Sequence, residues 1–170
     1  APRQTGKTTY LYALARKLNS SGHYTALVVS FEQAGYESIS VEKANELLIE
    51  SIYEAGYEQL PETSRPPDPQ AQRFLNLKNY LKAWCRSQTL PIVLFIDEID
   101  ALMDDVLISV LRQLRDGYQS RPEHFPISIV LVGLRDVREY KAEIRKGRKS
   151  LGTASPFNVK AESFFMPNFT

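Results

Sequence analysis

Two short polar segments have the residue types and spacing needed to hold a triphosphate and a metal ion. The first is residues 1–8 (APRQTGKT), which match the phosphate-loop pattern G-x-x-x-x-G-K-[ST] except that Ala1 replaces the first glycine. Gly6 would let the backbone approach phosphates, and successive amide groups at a helix start would supply a positive field. Lys7 would contact the β and γ oxygens, and the Thr8 hydroxyl would bind Mg²⁺. The predicted phosphate-binding residues are Thr5, Gly6, Lys7, Thr8 and Thr9.

The second segment is an acidic pair that follows an apolar run. Residues 92–96 (IVLFI) lead directly into Asp97 and Glu98. A carboxylate at the end of a central strand would face the phosphate loop, so Asp97 is the predicted Mg²⁺ ligand together with Thr8. Glu98 would orient, or take a proton from, the water that attacks the γ-phosphate. The alternative is that these acids only end a strand and cap the next helix.

For three further acids we prefer a structural interpretation. We expect Asp100 to be the N-cap of a helix that starts at Leu102. Asp104 and Asp105 are typical first-turn acids that complement the helix dipole. The acidic pair alone is weak evidence, but the loop and the pair together in one chain are strong evidence for a nucleotide site.

The elements that must position these residues follow from hydrophobic periodicity. Helices are predicted at 7–20, 41–55, 70–87 and 102–117, and strands at 24–31, 91–97, 127–134 and 160–166. The prolines of residues 60–70 predict an irregular surface loop. Alternating strands and helices predict an α/β fold with a mostly parallel sheet, whose ligands bind at the carboxyl ends of the strands.

Composition sets broad limits on function. The chain has 170 residues, 43% hydrophobic and 24% charged, which fits one soluble globular domain. The net charge of +1 gives no general case for nucleic acid or membrane binding, and no apolar run is long enough to cross a bilayer. A single cysteine, Cys85, indicates a reducing, cytoplasmic setting, and we interpret it as a packing residue. The isolated His23 and His124 do not suggest zinc.

One stretch is strongly basic. Residues 135–149 contain seven basic side chains against three acids. A solvated loop is the simplest interpretation. Contacts of residues 145–149 (RKGRK) to a nucleic-acid backbone are a second one, although no aromatic residues are interleaved among those five for base stacking.

These motifs resemble the additional-strand P-loop ATPases, which include AAA+ proteins and the related STAND signalling ATPases. APRQTGKTT looks like a Walker A motif, LFIDEID like a Walker B motif and ISIVLVGLRD like the sensor strand. Among these, the chain is most similar to prokaryotic AAA-like ATP-binding proteins, with which it shares SPFN and KAES segments at 155–158 and 160–163. The resemblance implies ATP and Mg²⁺ as cofactors, and it gives Arg135 and Asp136 the sensor position, usually Thr, Ser or Asn. It also offers Arg145 or Arg148 as an arginine finger in a homo-oligomer.

The resemblance implies a three-layer P-loop NTPase sandwich with helices on both faces. It places the strand at 91–97 between those at 24–31 and 127–134, and a missing first strand between those at 127–134 and 160–166. We therefore expect residues 1–170 to be a single ATPase core domain, truncated before the phosphate loop and before a helical lid.

Three functions fit these residues. They are an ATPase that drives a conformational cycle, a nucleotide-gated interaction switch of STAND type that recruits an effector domain, and a small-molecule P-loop kinase. Glu98 counts against the kinase, which usually lacks an adjacent glutamate base.

Overall fold

The computed structural model describes residues 6–32, 39–102 and 104–133. Within them the order along the chain is helix, strand, helix, helix, strand, helix, strand, with two helices between the first two strands and short 3₁₀ turns at Glu62–Ser64 and Ile99–Ala101. The helices are α1 (Lys7–Ser20), α2 (Val41–Gln59), α3 (Leu77–Ser87) and α4 (Asp104–Tyr118). The strands are β1 (Thr25–Ser30), β2 (Ile92–Asp97) and β3 (Ser128–Leu131). The predicted strand at 160–166 and its neighbouring gap lie outside the described residues.

The three strands form one parallel sheet in the order β1-β2-β3. This confirms the α/β class and the central place of the strand that precedes the acidic pair. Ser30 of β1 pairs with Asp97 of β2, so the last residues of these two strands lie side by side. Polar residues from neighbouring strands therefore meet at one edge of the sheet.

Side chains alternate between the two faces of the sheet and form two separate clusters. On one face α1 packs on β1 and β2, giving a small cluster of Leu11, Ala15, Ala26, Val28, Val93 and Phe95. On the other face α2, α3 and α4 pack together, giving a large cluster that includes Leu27, Leu48, Trp84, Leu94 and Ile96. Helices thus cover both faces, as expected of a three-layer sandwich.

Helix α1 has the predicted bounds, and local signals explain both of its ends. Gly6 precedes it with φ 69°, a left-handed conformation that costs a glycine little. Leu11 and Ala15 supply the buried stripe that the periodicity predicted. Beyond the helix, Gly22 again has a positive φ of 71°.

Helix α3 begins at Leu77, so the prediction of a helix from residue 70 is wrong. Side-chain oxygens accept hydrogen bonds from the first amide groups of α3. Leu77 N–H donates to Asn45 Oδ1 at 3.0 Å, and Lys78 N–H donates to Gln113 Oε1 at 3.1 Å. Asn76 is the N-cap and accepts from the Asn79 amide at 3.0 Å. These long-range caps fix the start of the helix, and periodicity within the segment does not report them.

Helices α2 and α4 also differ from their predicted bounds. Helix α2 continues to Gln59, one turn beyond the predicted end at residue 55. The Gln59 side chain makes two hydrogen bonds to the main chain of Val28. It donates to the Val28 carbonyl at 2.7 Å and accepts from the Val28 amide at 3.2 Å. Helix α4 begins at Asp104, so Asp100 is not its N-cap. Asp100 lies in the preceding 3₁₀ turn instead.

The proline-rich segment at 60–70 packs more closely than a plain surface loop would. Tyr80 Oη donates to the Pro67 carbonyl at 3.0 Å, and Trp84 Nε1 donates to the Ser64 carbonyl at 3.2 Å. Both aromatic side chains are fully buried, so each uses its polar atom to hold the loop.

Candidate functional site

The start of α1 has the features of an anion site. Its N-cap is Gly6, which supplies no side-chain cap, and its first turn contains no acidic residue. The Gly6 carbonyl accepts the first helical hydrogen bond, from the Tyr10 amide at 2.9 Å. The amides of Lys7, Thr8 and Thr9 lie before that bond, where the helix dipole favours a negative ligand.

The last residue of β2 contacts this helix start. Thr8 Oγ1 donates to Asp97 Oδ2 at 2.6 Å, across 89 residues of sequence. The other carboxylate oxygen, Oδ1, accepts from the Glu98 amide at 3.0 Å. Asp97 is 6% exposed, so its carboxylate is buried and both of its oxygens are oriented by hydrogen bonds. The two residues predicted to bind a metal therefore lie in contact.

Glu98 follows in an unusual backbone conformation. Its φ of 57° and ψ of 38° lie in the left-handed region, which is uncommon for a residue with a side chain. Its carboxylate is exposed, and Oε2 accepts from Ser30 Oγ at 2.7 Å. Ser30 also accepts from the Glu32 amide at 3.2 Å. Backbone strain of this kind is concentrated at functional sites, where the surrounding structure maintains it.

The end of β3 completes the group. Lys7 Nζ donates to the carbonyl of Gly133 at 3.4 Å. One residue earlier, the Val132 amide donates to the Ile96 carbonyl at 2.8 Å. The Val132 carbonyl accepts from the Ile99 amide at 3.1 Å. The ends of β2 and β3 thus contact the first turn of α1, and the end of β1 joins the group through Glu98.

The structure brings together four of the residues singled out from the sequence, namely Lys7, Thr8, Asp97 and Glu98. Thr9 lies beside them in the first turn of α1 and is exposed. Thr5 and Arg135 lie outside the described residues, as do Asp136, Arg145 and Arg148.

Sequence reasoning missed two members of the group, Ser30 and Gly133. Ser30 could have been found as the polar residue that ends the neighbouring parallel strand. Gly133 contributes a main-chain carbonyl, which no side-chain pattern reports.

The oxygen atoms present fit Mg²⁺. This ion prefers hard oxygen ligands and is usually held by one or two carboxylates together with substrate phosphates and water. The Asp97 carboxylate and the Thr8 hydroxyl provide such oxygens within one contact. No group of three or more His, Cys, Asp or Glu that could hold a metal occurs in residues 6–32, 39–102 and 104–133. Phosphate oxygens would therefore have to supply part of the coordination.

Two comparisons with known proteins bear on this arrangement. A family model described as an AAA domain matches residues 1–140, a range that includes the phosphate loop, the acidic pair and all three strands. A search of curated proteins finds no match to the chain. Separately, none of the helices in the described part of the chain is long and apolar enough to cross a membrane.

Proposed function

The chain belongs to the AAA domain family, and from that premise we propose that it binds ATP with Mg²⁺ and hydrolyses it to drive a conformational cycle. Nucleotide binding is the property that family membership itself indicates. The observation that carries the proposal further is the 2.6 Å contact between Thr8 and Asp97. It joins the phosphate loop to the carboxylate that a bound Mg²⁺ needs.

Binding is assigned to the start of α1. The amides of its first turn and the ammonium group of Lys7 would neutralise the β and γ oxygens. Lys7 Nζ already lies at the carboxyl end of the sheet, next to Gly133. Rotation about its side-chain bonds would carry the ammonium group from that carbonyl toward a phosphate bound at the start of α1.

Thr8 and Asp97 would hold Mg²⁺, which when bound offsets the charge that develops on the phosphates. The hydroxyl of Thr8 would then present its oxygen to the cation. Asp97 is oriented for this role by the Glu98 amide, which fixes one carboxylate oxygen at 3.0 Å. Burial of Asp97 limits competition from water.

Glu98 is assigned to the attacking water. The water oxygen forms a bond to the γ-phosphorus while the bond from that phosphorus to the β–γ bridging oxygen breaks. The water proton passes to the Glu98 carboxylate. The products are ADP and inorganic phosphate.

One contact favours a second candidate function, the nucleotide-gated switch. The hydrogen bond from Ser30 occupies Oε2 of Glu98 at 2.7 Å. That bond stabilises the charged carboxylate, which lowers its basicity toward the water and would slow hydrolysis. A protein of this kind would bind ATP, turn it over slowly and act through a partner. Arg135 as sensor, Arg145 or Arg148 as arginine finger, and assembly into homo-oligomers remain predictions.

Phosphate release under single-turnover conditions tests both functions. We expect the wild type to release phosphate on a scale of seconds, and Glu98→Gln to be at least about 100-fold slower. The affinity for MgATP should stay within about threefold, because the change keeps the size of the side chain and removes only the base. Glu123→Gln is the matched control, since it changes an exposed glutamate in the loop before β3.

The outcomes separate the candidates. No phosphate release by the wild type despite tight MgATP binding would favour the switch. Equal rates for Glu98→Gln and Glu123→Gln would contradict the assignment of the base.

A further inference from the structure

Gly133 is the residue at which the end of β3 meets the acidic turn. Next to it, the Val132 carbonyl accepts from the Ile99 amide at 3.1 Å. Its own carbonyl accepts from Lys7 Nζ at 3.4 Å. Two consecutive carbonyl groups therefore contact the two parts of the site, one on each side.

The position leaves little room for a side chain. A Cβ atom added at Gly133 would lie 2.9 Å from Asp100 Oδ1 and 3.3 Å from Ile99 Cγ2. The first distance is shorter than carbon and oxygen tolerate without a shift, and the Asp100 side chain is short. Rotation of the Asp100 carboxylate can relieve that first contact in part. The Ile99 side chain is buried and β-branched, so the second contact would press on the Ile99–Ala101 turn.

That turn is covalently joined to Glu98. Ile99 is its direct neighbour, and Glu98 has the left-handed φ of 57°, so its conformation depends on what surrounds it. A displacement of Ile99 and Asp100 is thus transmitted to the Glu98 carboxylate through one or two peptide units. Lys7 contacts Gly133 only through the end of a long, flexible side chain, which can follow a small movement of the carbonyl.

We propose that Gly133 is a positioning residue of the site: its lack of a side chain lets β3 approach the Ile99–Ala101 turn and so sets the place of Glu98. The proposal rests on the proposed function, because it assigns Gly133 to the same hydrolytic step. It concerns a residue whose only polar contribution to the site comes from its main chain.

The test compares Gly133→Ala with the wild type in the full chain. We expect kcat for ATP hydrolysis to fall about tenfold or more, since small misplacements of a reacting group have effects of this size. The Kd for MgADP, measured by calorimetry, should change less than threefold because the start of α1 is untouched. Methyl NMR without nucleotide should show a shifted Ile99 resonance. This readout does not depend on activity.

Gly22→Ala is the matched control. Gly22 has a positive φ of 71°, and nothing lies within 4 Å of an added Cβ. The substitution therefore strains the backbone and lowers the melting temperature without contacting the site. It should leave kcat within twofold of the wild type.

Rescue distinguishes crowding from general damage. Asp100→Ala in the Gly133→Ala background removes the closest atom and should restore at least half of the lost kcat. Asp100→Asn in the same background keeps an atom in that place and should restore nothing. Should Gly133→Ala alone fail to fold, recovery of folding by Asp100→Ala but not by Asp100→Asn would support the same contact.

Three results would overturn the proposal. They are an unchanged kcat in Gly133→Ala, an equal loss of kcat in Gly22→Ala, and equal rescue by the two Asp100 substitutions. Failure of the proposed function would look different, because the wild type itself would then release no phosphate.

Discussion

The two faces of the sheet hold the two halves of the candidate site with unequal strength. Among the described residues the small cluster beneath α1 has six buried members, whereas the large cluster beneath α2, α3 and α4 has 25. Lys7 and Thr8 lie on α1, so they depend on the small cluster. Asp97 ends β2 and Glu98 follows it. Strand β2 contributes Leu94 and Ile96 to the large cluster as well as Val93 and Phe95 to the small one.

This difference means that the free energy of unfolding and the affinity for nucleotide depend on different clusters. The large cluster carries most of the apolar burial, so it dominates the free energy of unfolding. The small cluster fixes only where α1 sits on the sheet. Its loss should affect the phosphate-binding residues more than it affects the fold.

The largest expected effect comes from a matched pair of core truncations. Leu48→Ala, in the large cluster at 0% exposure, should lower the free energy of unfolding by about 4 kcal/mol. Leu11→Ala, in the small cluster at 5% exposure, should cost about 2.5 kcal/mol because α1 can partly close the cavity. Urea unfolding measures both values.

Nucleotide affinity should rank the same two variants in the opposite order. Leu11→Ala should weaken MgATP binding about fivefold, the equivalent of roughly one hydrogen bond. Leu48→Ala, studied at a temperature where it is folded, should bind as the wild type does. Equal affinities in the two variants would show that the small cluster does not position the phosphate-binding residues.

A smaller expected effect is a loss of stability at alkaline pH, which arises from Cys85 in the large cluster. Burial raises the pKa of the Cys85 thiol to about 12, from a usual value of 9.0. Because the folded state disfavours the thiolate, this group's contribution to stability is complete below about pH 9 and is lost as the pH rises toward 12. For this one group, the free energy of unfolding cannot fall by more than about 1.4 kcal/mol per pH unit.

Chemical denaturation of wild type and Cys85→Ala between pH 8 and about pH 10.5 checks this. The wild type should lose stability more steeply than the variant above pH 9. Burial also raises the pKa of Tyr80, which acts equally in both proteins. Identical slopes would show that the Cys85 thiol titrates as if exposed.

Local sequence signals predicted a large part of this structure. The bounds of α1, the central position of β2 among the described strands and the contact of Thr8 with Asp97 all followed from periodicity and motif spacing. They could be predicted because each depends on a repeat within one segment or on the rule that parallel strands share a carboxyl edge. Cys85 is buried as interpreted.

The predictions that failed depend on contacts distant in sequence. The start of α3 is set by its N-cap Asn76 together with Asn45 and Gln113, which lie on two other helices. Asp100 lies in a 3₁₀ turn whose first residue, Ile99, donates its amide to the carbonyl of Val132, 33 residues away. Ser30 contacts Glu98 only because β1 and β2 pair in the observed register. A single sequence carries no direct record of these contacts.

The most direct test of the nucleotide site is the calorimetric Kd for MgATP in wild type, Lys7→Ala and Lys17→Ala. Both lysines lie on α1, at opposite ends, so the pair matches helix and charge. We predict that Lys7→Ala weakens binding by about 10- to 100-fold, the usual value of a hydrogen bond from a charged group. Lys17→Ala should bind as the wild type does. Equal affinities in the two variants would contradict the placement of ATP at the start of α1.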